Sequence, residues 1–237
     1  MASATFNAGI DYFALETATS NALKVKSSAE NYTDSLAEGT DAKGDVIARD
    51  RYGEQASPSA EYDCVAAVAL NSLALGTVND ISGISNPVMF TGITFSTSAA
   101  NPVTVSASGV SVESGAKTLR TYALPSINFT PRHRAQDILS ALTIKIGSTV
   151  ATSSEAEITE ASFAFSVEPT LASPKGVIMA SDCHGGKVEA TYTVSCWTAT
   201  RPTFTAADGY DISVASKTDP ENGYTSYSVT LTKSLTG

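Results

Sequence analysis

From Asp80 onward the apolar residues of this chain fall in short, β-branched runs, and within the runs they alternate mainly with serine and threonine. A period of two places alternate side chains on opposite faces of a strand, so the pattern predicts half-buried β-strands and not helices. Residues 88–95 follow Asn86-Pro87, and residues 103–112 follow Asn101-Pro102. Each Asn-Pro predicts a turn that starts a strand. Val103, Val105 and Ala107 share one parity while Val110 and Val112 take the other, which predicts a bulge at Gly109. Residues 142–146, 161–167, 212–215 and 224–231 repeat the theme, and Asn222-Gly223 ahead of the last run is the strongest hairpin signal. The expected fold class is mainly β, with antiparallel β-sandwich or barrel units and one or two short helices.

Two segments depart from that pattern. Thr130 as N-cap, Pro131 at the first helical position, and Ile138, Leu139 and Leu142 at helical spacing predict one short helix over 132–142. In the first 24 residues Ile10, Phe13, Ala14 and Leu23 surround Asp11 and Glu16, which fits either a second helix or an extended arm. Residues 27–44 and 217–223, rich in Ser, Asp, Asn and Gly, are expected to be solvated loops or turns.

Gly53 precedes Cys64 at the same spacing as Gly185 precedes Cys196, and each glycine follows a Val-Ile pair and an Asp (Val46-Ile47 and Asp50; Val177-Ile178 and Asp182). Both segments read as strand, polar turn, strand, an echo that suggests a duplicated building block. The expected division is a first β unit with an N-terminal arm over 1–117 and a second over 118–237, with the break near 115–119.

At 237 residues the chain is long enough to bury a core without disulfide or metal staples. Lys and Arg total 15 against 24 Asp and Glu, a formal charge of −9. Such a balance argues against a protein that grips nucleic-acid phosphates or an anionic membrane surface. The opening residues lack a basic run followed by an apolar stretch, so neither a signal peptide nor a membrane span is expected there. The three cysteines are then expected to be buried thiols, and the acceptor patterns at Asn31 and Asn128 carry no glycosylation.

Candidate chemistry is sparse. There are two histidines, His133 and His184. Asp182, Cys183, His184, Gly185 and Gly186 form the one cluster that resembles a thiol beside a base, but neighbours on an extended strand point to opposite sides. No second Cys/His pair at metal-ligand spacing accompanies it. The paired glycines make a hairpin turn the expected structure there. Arg132, His133 and Arg134 are the densest basic spot, expected to pair with acidic groups or face water. Glu155 and Glu157 share a strand face, as glycosidase carboxylates do, yet solvated edge residues do the same. No catalytic, cofactor-binding or metal-binding residue is assigned, and no enzyme activity is expected.

The run from Ser35 to Gly53, with Asp41, Gly44, Asp45, Val46, Ile47 and Ala48 at its centre and residues 57–62 after it, resembles the tail-tube and related virion proteins of tailed bacteriophages. Residues 186–194 and 222–233 are similar to the closing strands of such proteins. The resemblance implies a β-sandwich with a flanking helix that assembles with itself into a cyclic homo-oligomer. Its rings stack into a tube, meet other virion tail proteins and pass DNA without specific binding. It also implies residence in the virion after synthesis in the bacterial host cytoplasm, with no membrane partner and no cofactor. The rival expectation is a carbohydrate-binding or adhesive β-sandwich displayed on a virion or cell surface, with Trp197, Tyr192 and Tyr224 as its candidate aromatics.

Overall fold

The computed structural model describes residues 9–82, 86–98, 101–112, 120–131, 135–136, 142–173, 176–206, 209–219 and 224–235. Eight long strands carry the architecture: β1 (Leu23–Thr40), β2 (Val46–Cys64), β3 (Val88–Ser98), β4 (Thr104–Ser111), β5 (Ala156–Ala172), β6 (Met179–Cys196), β7 (Asp211–Asp219) and β8 (Tyr224–Ser234). They lie in one antiparallel sheet in the order β1-β2-β4-β3-β5-β6-β8-β7, with Val78–Asn79 pairing to β3 as a ninth strand.

Alternation decides which face is buried. Tyr62, Val105, Phe95, Phe163, Tyr192 and Val229 point to one side and are almost wholly enclosed, while their Ser and Thr neighbours point to the other. A second layer covers the apolar face. It contains the four-residue helix α1 (Leu15–Ala18), the two-residue pairings Val68–Ala69 with Asn128–Phe129 and Ala74–Leu75 with Tyr122–Ala123, and a small sheet centred on Leu142–Ile146. Phe129 of this layer stacks on Phe95 at 4.4 Å and meets Phe163 edge-on at 5.7 Å; Phe163 in turn meets Tyr192 edge-on at 5.5 Å. Each such ring contributes roughly 2–3 kcal/mol by leaving water.

Tyr192 brings a hydroxyl into that apolar stack, where it has no hydrogen-bond partner among the described residues. Burial raises its pKa well above the ordinary phenol value, so the group stays neutral. Removing a buried, unpaired hydroxyl while keeping the ring relieves a desolvation cost, and Tyr192→Phe is expected to stabilise the fold by about 1 kcal/mol. A lower urea midpoint for the variant than for the wild type would count against this.

Several expectations hold in detail. β3 starts directly after Asn86-Pro87, and β4 starts two residues after Asn101-Pro102. The bulge expected at Gly109 is found in that pairing but on the facing strand: Thr91 of β3 is the extra residue opposite Gly109 and Ser108, and Gly109 to Val112 are all buried. β7 and β8 pair from Asp219 and Tyr224 outward, as the Asn222-Gly223 signal requires, although the turn itself lies outside the described residues.

Other expectations are corrected. Residues 27–40 are not a loop but most of β1; their polar side chains mark a strand with little core beneath it. The cluster at 182–186 is not a hairpin turn, because it runs inside β6, where Gly185 takes a positive φ of 67° at a bulge. Likewise the segment around Gly53 is continuous strand in β2. Most of the helix expected over 132–142 lies outside the described residues, and Leu142 begins a strand. Among the described residues of that segment, 9–24, the helix is confined to Leu15–Ala18, where the Asp11 carboxylate accepts from the backbone N–H groups of Leu15 and Glu16 and from the Tyr62 hydroxyl at 2.7 Å.

The echo between Gly53–Cys64 and Gly185–Cys196 has a counterpart in strand pairing. Cys64 and Cys196 are both buried, and each is the last residue of the second strand of a long hairpin. In β1–β2 the register shifts between Val25 and Ser27, and in β5–β6 between Ile158 and Glu160. A second shift falls between Thr33/Gln55 and Ser35/Tyr52 in one hairpin and between Ser166/Lys187 and Glu168/His184 in the other. Both pairs of shifts superpose when 133 is added to β1 numbers and 132 to β2 numbers (33 to 166, 55 to 187). Gly53 and Gly185 each fall in the second bulge, which is where a residue without a Cβ relieves a kinked strand. The strand order repeats as well: β1-β2-β4-β3 is followed by β5-β6-β8-β7, joined through β3 and β5 in one continuous sheet.

Candidate functional site

The sheet face opposite the core presents a surface of largely uniform chemistry. Its side chains line up in rungs because antiparallel pairing sets same-face residues side by side. One rung crosses the whole sheet: Lys24, Asp63, Thr104, Ser96, Ser162, Thr191, Thr230 and Ser213, each paired to the next. The next rung reads Glu61, Ser106, Thr94, Ala164, Glu189, Thr232 and Asp211. On the other side stand Ser98, Glu160, Thr193, Ser228 and Ala215. Hydroxyls dominate, large apolar side chains are missing from these rungs, and the carboxylates Asp63, Glu61, Glu189, Glu160 and Asp211 outnumber the ammonium groups of Lys24, Lys26 and Lys187 on the same face.

At the centre of this face, where β3 and β4 meet β5 and β6, Ser96, Ser98, Thr104, Glu160, Ser162, Thr191 and Thr193 line an open depression of about 400 Å³. Such a surface accepts and donates hydrogen bonds weakly and offers neither a general acid–base pair nor a ring to stack on. It can keep a polyanion hydrated and mobile: carboxylates repel phosphate, and hydroxyls hold water without fixing a counter-charge.

The clusters singled out in the sequence are not brought together. Cys183 turns inward, fully buried, and its thiol donates to the Arg120 carbonyl oxygen at 2.8 Å. Burial raises its pKa, which disfavours the thiolate a nucleophile needs. His184 turns outward, with Nδ1 3.0 Å from the Thr170 hydroxyl. The neighbouring Asp182 carboxyl is held below the usual carboxylate range chiefly by hydrogen bonds from the backbone N–H groups of Cys183 and Arg120.

Glu155 sits in the turn before β5, not on a strand face beside Glu157. Hydrogen bonds from the Thr152 N–H and hydroxyl, both at 2.9 Å, hold its carboxyl below the ordinary range, so it caps a turn. Burial pushes the Cys64 thiol up to about 11. No three His, Cys, Asp or Glu side chains gather closely enough to hold a metal among the described residues.

Arg132, His133 and Arg134 lie outside the described residues. Of the candidate aromatics, Tyr192 is enclosed in the core, and Trp197 stands half exposed just past the end of β6. No helix among the described residues is long and apolar enough to cross a membrane. The hydroxyl face escaped the sequence analysis because alternation marks a polar side on each strand but does not say which strands adjoin. Compared with known proteins, the chain matches no family model and no curated protein.

Proposed function

We propose that this chain is a self-assembling structural protein of a phage virion tail, not an enzyme, and that its hydroxyl face lines the tube through which DNA passes. The observation that carries the proposal is the hydroxyl-rich face: one rung crosses all eight strands, with Ser or Thr on the six that follow β2 in the sheet, and carboxylates outnumber ammonium groups around it. A wall for a moving polyanion needs low friction, and each Lys or Arg it lacks is one fewer phosphate contact to break. A protein that recognises sugars has the opposite need, a flat aromatic platform. The burial of Tyr192 removes one member of that platform and weakens the adhesive reading.

Negative-stain microscopy of the purified protein, combined with a gel-shift assay against duplex DNA at low salt, tests the proposal. Stacked rings with an open channel and no shift are expected. Particles that never form rings, or that retain DNA tightly, would overturn it; retention on a glycan array would favour the adhesive sandwich.

A further inference from the structure

We infer that the sheet continues from one copy of the chain into the next, the outer edge of β7 pairing antiparallel with the outer edge of β1 of a neighbouring copy, in the register already used inside the chain between β3 and β5. The inference rests on the proposed self-assembly and adds to it a specific interface.

The argument starts from the repeated strand order. In 1-2-4-3 followed by 5-6-8-7, β7 holds the place in the second half that β3 holds in the first, and β1 holds the place of β5. Within the chain β3 is not an edge, because it pairs with β5. β7 and β1 end the sheet on either side, each with one strand partner among the described residues. The internal junction is therefore a template for an external one.

The ladders convert this into residue pairs. Thr104 and Ser226 occupy equivalent places on β4 and β8, and their partners Ser96 on β3 and Lys217 on β7 are then equivalent. With the matched bulges fixing β1 against β5, the internal pairs Thr94–Ala164 and Ile93–Phe165 become Ala215–Asn31 and Val214–Tyr32 between copies.

The side chains support that register. Ile93 and Phe165 are each 1 % exposed, whereas Val214 is 37 % and Tyr32 62 % exposed. Two of the exposed large apolar side chains thus stand opposite each other when the internal junction is repeated. The pairing has a natural start, since the N–H of Val25, two residues before the first paired position, is taken by the Glu16 carboxylate at 2.8 Å. Ile10 donates its N–H to the hydroxyl of Ser28, a residue that pairs with buried Ala60 on the core-facing side of β1. Such a contact is heterologous, so it closes only as a ring. Each copy supplies two similar steps of that ring, which gives it twice as many pseudo-equivalent units as subunits.

Disulfide trapping tests the register. The double variant Asn31→Cys/Ala215→Cys, oxidised at a concentration where light scattering reports an oligomer, is expected to give a ladder of covalent multimers on a non-reducing gel. Ala29→Cys/Ala215→Cys, slipped by two residues on the same face, is expected to stay monomeric there. Equal cross-linking of the slipped pair, absence of the ladder, or a monomer at every concentration would overturn the inference. Val214→Lys supplies a second route: a charge on an edge strand blocks pairing, so the variant should keep the wild-type circular dichroism and lose assembly. Its assembly at wild-type concentrations would likewise overturn the inference. Rings without in-register cross-links would reject this edge and leave the tube reading standing; cross-linked rings that do not stack and that retain DNA would do the reverse.

Discussion

Gly76→Ala is expected to abolish the native fold. Gly76 has a positive φ of 83°, and a Cβ built on it would lie 2.2 Å from the Arg120 carbonyl oxygen and 2.9 Å from Cys183 Sγ. The left-handed backbone alone costs a non-glycine residue about 1–2 kcal/mol. The clash is worse, because the blocking atom is backbone and cannot rotate away. Moving the Arg120 carbonyl also breaks its bond from the buried Cys183 thiol, while the Gly76 N–H is already committed to Phe90 O at 2.7 Å. Together these place the loss above roughly 4 kcal/mol, the range in which single substitutions unfold a domain. Gly44→Ala, at φ 87° in the turn between β1 and β2 with open space around it, isolates the backbone contribution and should cost only about 1–2 kcal/mol. Soluble yield and thermal melting of the two variants decide the matter; similar losses in both would refute the clash argument.

Phe129→Ala is expected to be the most damaging truncation of the second layer, at about 3–5 kcal/mol. The ring is fully buried and touches both Phe95 and Phe163, so it bridges β3 and β5 where the two halves of the sheet join. Its loss leaves a cavity that the short pairing of Val68–Ala69 with Asn128–Phe129 has little rigidity to fill. Phe129→Leu, which keeps much of the volume, should recover more than half of the loss. A urea midpoint unchanged by Phe129→Ala would mean that the layer is held elsewhere.

How far these features were legible in the sequence depends on the range over which each is encoded. Alternation is a local property, and it located β3, β4, the middle of β5, part of β7, and β8, as well as the irregular pairing opposite Gly109. β1 was missed beyond Ser27 because Glu30, Asn31, Thr33 and Glu38 lack the apolar partners that make a strand visible; β1 is held by its ladder to β2 and not by burial. The glycines at 185 and 186 have the composition of a turn, yet they lie in a bulge between the pairs Ser166–Lys187 and Glu168–His184, information that no local window contains. The hydroxyl rungs depend on strand order, which pairing over long separations decides.

The matched bulges leave this chain with a problem of self-discrimination during folding. Hairpins β1–β2 and β5–β6 kink at equivalent places, so backbone geometry alone lets β1 lie on β6 as readily as on β2. Side chains make the distinction. Glu30 stands where Phe163 stands, and docking β1 on β6 would lower a carboxylate into the aromatic stack beside Tyr192, a desolvation cost of several kcal/mol. The polar composition that hides β1 in the sequence is thus also what keeps it from an exchange of strands between the halves, the characteristic misassembly of repeated folds.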